Sequence, residues 1–426
     1  MQPDALVIQR VRYYIFLRDV FILALTTFGG PQAHLAHFHK VLVQKRGYLS
    51  DNDLMELNSL CQMLPGPAST QTLTAIGFRI GGPTLAYLTL LIWILPAVII
   101  MTAAAIVMTS IQQNAWSTEF TRFIQPMAVG FVSYGAYMIS LKTVNTKTGV
   151  ALMMISAILS YLFQSPFVLP MLIISGGVIT SMKYKRQPKE DKSRINVVWS
   201  NLVLWASVLV IAAVLGGVTK ALPVKLFENF YRNGSLIFGG GQVLAPLLYT
   251  EFVETQNEVG EGEKVSALKS RIKKEYAPKP YHYPISHGEF LSGYAVVQAL
   301  PGPIFSFSAY VGALSSRNYG IGGSIVGALT SAIGIFLPGT FLIFFVIRFW
   351  ESLKKYRPIR ASLEGITAVS AGLVTASAII MFQPLENSLL NFGVTIATFC
   401  ILAFTKLPPP LIIVGGLVVG FILGLF

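Results

Sequence analysis

The sequence has few charged residues and almost no cysteine. Only 12% of its 426 residues are Asp, Glu, Lys or Arg, whereas soluble chains average about 25%. Apolar residues make up 53% of the chain and the mean hydropathy is +0.62, which argues against a soluble globular protein. The two cysteines, Cys61 and Cys400, both lie in apolar segments. The sequence therefore predicts neither a disulfide framework nor a paired-cysteine metal site.

Sequence motifs for nucleotide and hydrolytic chemistry are also missing. The chain contains no GxxxxGK[ST] phosphate loop, no HExxH zinc motif, no GxSxG nucleophile turn and no Gly-rich dinucleotide loop. We therefore expect no enzyme activity and no cofactor, and any pumping would use an ion gradient or the membrane voltage. The N-terminus lacks the features of a removable signal peptide.

Long apolar runs dominate what is present. Their length and the basic loops between them are typical of an all-α polytopic membrane protein embedded in a lipid bilayer. Anchoring of basic loops at the membrane surface explains the net charge of +13 better than nucleic-acid binding does. Thirteen helical segments are predicted, near residues 12–34, 54–78, 82–110, 120–141, 149–164, 167–182, 197–218, 233–250, 286–316, 320–348, 361–382, 389–405 and 408–426.

Three short strings recur in the same order in the two halves of the chain. They are FGGPQ at 28–32 and FGGGQ at 238–242, CQMLPGP at 61–67 and VQALPGP at 297–303, and LIISGGVI at 172–179 and LIIVGGLV at 411–418. The spacing between the first two strings is longer in the second half, which indicates a charged insertion at about 251–285. We divide the chain into a first transporter-like repeat at 1–182, a basic linker and connecting transmembrane helix at 183–218, and a second repeat at 219–426.

The number of segments predicts the topology. Six segments, one unpaired segment and six more place the second repeat in the membrane upside down relative to the first. If the N-terminus is cytoplasmic, most Lys and Arg residues fall on the inner side, as the positive-inside rule requires. The exceptions flank the two FGG strings and mark candidates for segments that enter the bilayer without crossing it: Lys40, Lys45, Arg46, Lys220, Lys225 and Arg232.

The Gly-Gly and Pro-Gly-Pro strings interrupt apolar runs. A broken helix is tolerated in a bilayer only where it is buried in protein or lines a wet cavity. Half-helix N-termini carry about +0.5 charge each, and glycine lets backbone N–H groups approach an anion. A single string is explained by a simple kink, but matched breaks in both repeats favour an anion site. Its backbone candidates are Gly29, Gly30, Pro31, Pro65, Gly66, Pro67, Gly239, Gly240, Gly241, Pro301, Gly302 and Pro303.

Neutral hydrogen-bond donors stand beside these breaks. Such donors suit an oxyanion that must be released again, and polar packing between helices is the alternative role, equally compatible for the two serines. The candidates are Gln32, Gln62, Ser69, Gln242, Gln298 and Ser306.

Four ionisable residues near the breaks are candidates for coupling or gating: Asp53, Glu56, Arg79 and Glu289. Asp53 and Glu289 occupy equivalent places in the two repeats, where helix capping is favoured over a proton relay. Arg79 closes an apolar segment, and snorkelling to a lipid headgroup is favoured over attraction of an anion.

Three histidines, His34, His37 and His39, form a weak metal-binding pattern. No Cys, Asp or Glu joins them at ligand spacing, and the second repeat has Leu244 at the place of His34. We therefore predict no metal site.

Four segments taken together resemble the signature of the chromate ion transporter family. They are TFGGPQAHL at 27–35, LCQMLPGPASTQ at 60–71, IFGGGQVLAPLL at 237–248 and GYAVVQALPGPIFSFSAYVGAL at 293–314. The resemblance covers both halves, from about residue 20 to 425, without the charged insertion. It implies a two-domain protein of the bacterial inner membrane that exports chromate, a tetrahedral dianion similar in shape to sulfate. Single-repeat members are thought to act as pairs, and a homodimer of this chain is left open.

The sequence thus predicts a secondary transporter of chromate, or of a similar oxyanion such as sulfate, that works by alternating access. An oxyanion channel, an anion carrier not devoted to chromate and a membrane scaffold are the alternatives. Exit of a dianion from a negative-inside cell is favoured by about 2.3 kcal/mol per charge per 100 mV, so proton exchange is not required.

Overall fold

The chain is a bundle of α-helices. The computed structural model describes its residues apart from 1–12, 29, 114–122, 144–145, 164–167, 184–198, 220, 239–240, 242, 254–284, 349–355, 386–387, 406 and 424–426. Within these described ranges there is no β-strand, which confirms the predicted all-α class.

The described residues of the first half of the chain form seven α-helices. They are α1 Tyr13–Thr26, α2 Gly30–Phe38 with a π-helical extension His39–Lys45, α3 Asp51–Met63, α4 Ala68–Gln113, α5 Ile124–Thr143, α6 Lys147–Leu162 and α7 Val168–Ser181. The backbone of α4 leaves helical geometry at Gly81 and Gly82. A short arm, from Ala68 to this kink, is thereby separated from a long apolar arm.

The second half repeats this order of short and long helices after α8 Ser200–Thr219. Its helices are α9 Leu222–Leu236, α10 Leu244–Phe252, α11 His287–Ala299, a 3₁₀ turn Ile304–Ser306 that runs into α12 Phe307–Ser315, a 3₁₀ turn Arg317–Tyr319, α13 Gly320–Val346, α14 Arg357–Phe382, α15 Leu389–Phe404 and α16 Pro409–Leu423. In this order α9 to α11 correspond to α1 to α3, and α12 with α13 correspond to the two arms of α4. The last three helices correspond to α5, α6 and α7.

The predicted segment at 233–250 is wrong as a single helix. The structure has two helices here, because α9 ends at Leu236 and α10 begins at Leu244, with the glycine-rich string between them. Helix α9 also begins eleven residues earlier than the predicted segment. Its buried face carries Glu228, Asn229 and Asn233, and these polar residues conceal the helix from a search for apolar runs.

Several helices have the length and composition of membrane spans. Among the residues that the structure describes, four helices are long and apolar enough to cross a bilayer: Ala68–Ile111, Ser200–Thr219, Arg317–Val346 and Ala361–Phe382. Other apolar helices are shorter. Valines 203, 210, 214 and 218 on α8 are more than half exposed. An apolar surface of this kind is suited to lipid rather than water, so the structure supports a multi-pass membrane protein.

The two halves of the chain pack against each other. Helix α14 of the second half packs against α5, α6 and α7 of the first. Gly176 on α7 faces Gly365 on α14, and a Cβ on Gly365 would overlap the carbonyl oxygen of Gly176. Ser156 on α6 donates a hydrogen bond to the Val369 carbonyl at 3.2 Å. Small residues and hydroxyls at helix contacts are the usual means of association in membranes.

Three of the basic residues that depart from the predicted charge pattern are paired with buried carboxylates. Arg46 Nε lies 2.7 Å from Asp19 Oδ2, while Lys225 and Arg232 contact Glu228 at 2.9 and 3.0 Å. Pairing within the protein removes the need for these residues to lie on the cytoplasmic side, because the positive-inside rule concerns free loop charge.

The two residues that flank the charged insertion are in contact. Val253 and Ile285 form an isolated parallel β-bridge. The body of the insertion, 254–284, lies outside the described residues, as do Lys220 and most of the linker, 184–198.

Candidate functional site

Each Pro-Gly-Pro string forms the tip of a helical hairpin. In the first hairpin, α3 packs against α4. Arg79 Nη1 lies 2.7 Å from Asp53 Oδ1 at the end of the hairpin away from the Pro-Gly-Pro tip. In the second, α11 and α12 are closed by an ion pair between Arg317 and Glu289. Helix α3 has 13 residues and is about 20 Å long, shorter than the hydrocarbon layer of about 30 Å. Helix α3 is therefore too short to cross this layer by itself.

Asp53 and Glu289 cap the first helix of each hairpin. The Ser50 hydroxyl accepts from Asp53 N at 3.2 Å, and Ser50 N donates to Asp53 Oδ2 at 3.1 Å. Ser286 and Glu289 make the same reciprocal pair, with Ser286 N 2.7 Å from Glu289 Oε2. The predicted capping role is confirmed, and it accounts for the equivalent places of the two carboxylates. Glu56 lies half-buried on α3.

The two hairpin tips are bonded to the opposite halves of the chain. Gly66 N–H donates to the Ile237 carbonyl at 2.7 Å, and Gly302 N–H donates to the Thr27 carbonyl at 3.0 Å. Thr27 and Ile237 are equivalent positions just before the FGG strings. Each tip thus closes against the Gly-rich break of the other half, in a reciprocal arrangement.

All four breaks meet at one small cavity. Its volume is about 10 Å³, near the lower limit of about 10 to 15 Å³ for a single water molecule. The cavity is lined by Pro31, His34, Pro67, Ala68, Ser69, Gly241, Pro303, Ile304 and Phe305.

Helices from both halves begin at this cavity. Pro31 is in the first turn of α2, Ala68 opens α4, Pro303 caps the 3₁₀ turn that leads into α12, and Gly241 lies just before α10. The first N–H groups of a helix have no partner within it and carry partial positive charge. Their convergence favours a negatively charged ligand.

The cavity has one polar and one apolar wall. His34 Nδ1 lies 3.0 Å from Ser69 Oγ on the wall from the first half. The residues that correspond to Ala68 and Ser69 in the second half are Ile304 and Phe305. His34 was not among the predicted site residues. The second half has Leu244 at the equivalent position, and this difference between the repeats was the one signal in the sequence.

The structure brings some of the predicted site residues to the cavity and leaves others outside it. Pro31, Pro67, Ser69, Gly241 and Pro303 line it, and Gly30 is close enough that an added Cβ would lie 3.8 Å from Ile304 Cδ1. Pro65, Gly66, Pro301 and Gly302 form the hairpin tips. Gln32 lies in α2 with its side chain outside the described atoms, and Gly29, Gly239, Gly240 and Gln242 lie outside the described residues.

The predicted glutamine pair does not reach the cavity lining. Gln62 is exposed, because it follows the fully buried Cys61 on α3 and so lies about 100° around the helix from it. Gln298 is half-buried and lies outside the lining. Ser306 is buried, but its hydroxyl donates to the Pro303 carbonyl at 2.8 Å and so holds the hairpin turn.

Comparison with known proteins identifies the family. The model of the chromate transporter family matches residues 15–181 and 272–421. The chain belongs to the chromate transporter family. The family assignment made from the four signature segments is therefore confirmed.

Relatives in this family extend over nearly the whole chain. A probable chromate transport protein of Synechococcus elongatus is 23% identical over 93% of this chain and 91% of its own length. The chromate transport protein of Cupriavidus metallidurans is 23% identical over 93% and 89%. An uncharacterized transporter of Methanocaldococcus jannaschii is 24% identical over 94% and 92%. No solved structure matches the chain.

Proposed function

We propose that this chromate transporter family member is a secondary transporter that carries chromate, or a similar tetrahedral oxyanion such as sulfate, out of a bacterial cell across the cytoplasmic membrane. The names of two relatives support chromate as the cargo. The residues that line the cavity support anion transport rather than an enzymatic reaction, because they supply neutral donors and backbone N–H groups.

The observation that carries this proposal is the convergence of the breaks of both halves on one cavity. Four helix starts lie at the same small volume. The first N–H groups of a helix have no partner within it, and an oxyanion has several acceptor oxygens for such donors. None of the residues that line this cavity carries a carboxylate, so no fixed negative charge repels the anion.

The matching contacts of the two hairpin tips support transport by alternating access. We take the halves to be inverted repeats with a cytoplasmic N-terminus, which places the two hairpins on opposite sides of the bilayer. A tetrahedral dianion is much larger than the cavity of about 10 Å³, so this conformation is a closed one. Entry from either side then requires one hairpin tip to separate from the opposite half, at the Gly66–Ile237 bond or at the Gly302–Thr27 bond. The ion pairs at the hairpin bases, Asp53 with Arg79 and Glu289 with Arg317, keep each hairpin rigid as it moves.

The membrane voltage suffices to drive export. A dianion that leaves a negative-inside cell gains about 2.3 kcal/mol per charge per 100 mV. Exchange for a proton is therefore not required.

Counterflow in proteoliposomes tests the proposal. Vesicles that contain the purified protein are preloaded with sulfate and placed in trace radioactive chromate. A carrier gives a transient accumulation of chromate that exceeds equilibrium, whereas a channel gives equilibration without stimulation by internal sulfate, together with a measurable conductance. Phosphate and molybdate preloads rank the cargoes. Absence of chromate and sulfate movement would overturn the proposal and favour the scaffold alternative.

A further inference from the structure

A buried imidazole at the cavity has no assigned role. His34 is 1% exposed and lines the cavity from α2. Its Nε2 atom is buried and has no hydrogen-bond partner among the described residues. A buried polar atom without a partner destabilises a protein, so a ligand that supplies the partner is a direct explanation.

The other edges of this imidazole are fixed. Nδ1 lies 3.0 Å from Ser69 Oγ, and the ring packs edge-on against Trp93 with the centroids 5.3 Å apart. Trp93 is in turn held by Thr70, whose Oγ1 accepts from Trp93 Nε1 at 3.1 Å. The orientation of His34 is therefore set by its neighbours, and Nε2 is the edge that is left for a ligand.

The Ser69 hydroxyl lies where it is able to set which nitrogen of His34 carries the proton. When the Ser69 hydroxyl donates to Nδ1, the proton of the neutral imidazole lies on Nε2. An Nε2–H group is a neutral donor, which can bind an oxyanion strongly enough for recognition and still release it.

We propose that His34 is a substrate-binding residue whose Nε2–H donates to an oxygen of the transported oxyanion, and that Ser69 is the positioning residue that fixes this tautomer. This inference rests on the proposed function. The equivalent residues of the second half, Leu244 and Phe305, have no side-chain donor. Side-chain recognition is therefore one-sided in a site that is otherwise two-fold, and the anion binds nearer to the first half.

Chromate binding to the detergent-purified protein, by equilibrium dialysis, and transport in proteoliposomes test the role of His34. His34→Leu places the residue of the second repeat at this position, and we expect its dissociation constant and KM for chromate to rise about ten- to a hundredfold. His34→Gln keeps an N–H donor near the position of Nε2 and should stay within a few-fold of the wild type. His37→Leu, on the same helix but outside the lining, is the matched control and should leave both constants unchanged.

The role of Ser69 is tested by the loss and return of its hydroxyl. Ser69→Ala should raise KM with little change in kcat, because the tautomer is no longer fixed. Ser69→Thr retains a hydroxyl and should restore KM. A raised KM in both variants would indicate packing rather than positioning, and it would overturn the role of Ser69.

The outcomes for the inference and for the proposed function are separable. If the wild type transports chromate and His34→Leu has the same KM, the inference is wrong and the proposed function stands. If the wild type neither binds nor transports any tetrahedral oxyanion, both are wrong. Should His34→Leu not fold, the wild type decides through NMR of protein labelled with ¹⁵N-histidine. A shift of the Nε2 signal of His34 on addition of chromate supports the inference, and an unchanged signal at saturating chromate overturns it.

Discussion

Gly66 holds the tip of the first hairpin against Ile237, across the boundary between the halves, with an N···O distance of 2.7 Å. The bond depends on a backbone conformation that side chains disfavour, since the φ angle of Gly66 is +114°. Gly302, in the second tip, has a φ angle of +96° and makes the corresponding bond to Thr27. These two glycines thus supply the positive φ angles that accompany the bond between each hairpin tip and the opposite half.

We expect Gly66→Ala to lower the free energy of unfolding by about 1 to 3 kcal/mol. The positive φ angle strains any L-residue, and the new Cβ would lie 2.9 Å from Gln71 Nε2, which donates to the Pro65 carbonyl. Thermal unfolding in detergent measures the effect. Gly393→Ala, in α15 with no atom within 4 Å of an added Cβ, is the control and should be neutral or slightly stabilising. Equal unfolding temperatures for the two variants would contradict the expectation.

Filling the cavity should stop transport without unfolding the protein. A Cβ on Gly241 would lie 3.1 Å from Ile304 Cβ, so the side chain of Gly241→Leu must occupy the space between the hairpin tips. We expect the rate of chromate uptake into proteoliposomes to fall at least about tenfold, since loss of even one strong contact to an anion has this effect. Gly217→Leu on α8, where an added Cβ meets nothing within 4 Å, should retain the wild-type rate. Full activity of Gly241→Leu would show that this cavity is not on the transport path.

The carboxylate of Asp19 depends on its partners. It is 4% exposed and receives a hydrogen bond from Arg46 Nη2 at 2.8 Å and one from the Tyr48 hydroxyl at 2.7 Å. Arg46→Ala leaves this buried charge with only the more exposed Arg18, whose Nη2 lies 3.8 Å from Asp19 Oδ1. We expect the free energy of unfolding to fall by more than about 2 kcal/mol. Breaking a fully buried pair costs about 3 to 5 kcal/mol, and the loss here should be smaller because the Arg46 side chain is 30% exposed. Denaturation in detergent measures this cost.

A double variant separates charge from packing at this site. Arg46→Ala combined with Asp19→Asn removes both charges and should recover more than half of the lost stability. Lys45→Ala, at a neighbouring exposed position, should change it by no more than about 0.5 kcal/mol. If the double variant is less stable than Arg46→Ala alone, the loss does not come from the uncompensated charge.

The ion pair at the base of the first hairpin should make the free energy of unfolding depend on pH. Burial acts to raise the pKa of Asp53, but hydrogen bonds from Ser50 and the nearby Arg79 guanidinium together outweigh it, and the pKa lies below its ordinary value. A carboxyl group with a lower pKa in the folded state stabilises the fold fully above its unfolded pKa of about 4. That contribution is lost as the pH falls through the folded value.

Unfolding temperatures from pH 7 to pH 3 measure this dependence. The difference between the wild type and Asp53→Asn should be largest at neutral pH and should shrink below about pH 4. Arg79→Gln should show a smaller difference of the same sign, because the Arg79 side chain is 42% exposed and exposed pairs contribute about 0.2 to 1 kcal/mol. A difference that does not vary with pH would contradict the lowered pKa of Asp53 in the folded protein.

Features that depend on local chemistry were predictable from the sequence. The capping boxes at Ser50 and Ser286 follow from a hydroxyl followed three residues later by an acid, and the breaks follow from Gly and Pro in apolar runs. The start of α9 was not predictable in this way, because Asn229 and Asn233 lower its apolarity although the fold buries them. Gln62 was assigned to the site on spacing alone, and the rotation of α3 places it on the exposed face.

The sequence by itself determined that this is a helical membrane protein of the chromate transporter family, where its helices break, and that the breaks occur in matched pairs. Composition, periodicity and short motifs carry that information because each acts over a few neighbouring residues. Only the tertiary structure decided that the four breaks share one cavity, that Gly66 and Gly302 each bond to the opposite half, and that His34 meets Ser69 across 35 positions of the chain. Such contacts depend on how helices that are distant in sequence rotate and cross, and the packing of the whole bundle sets that geometry.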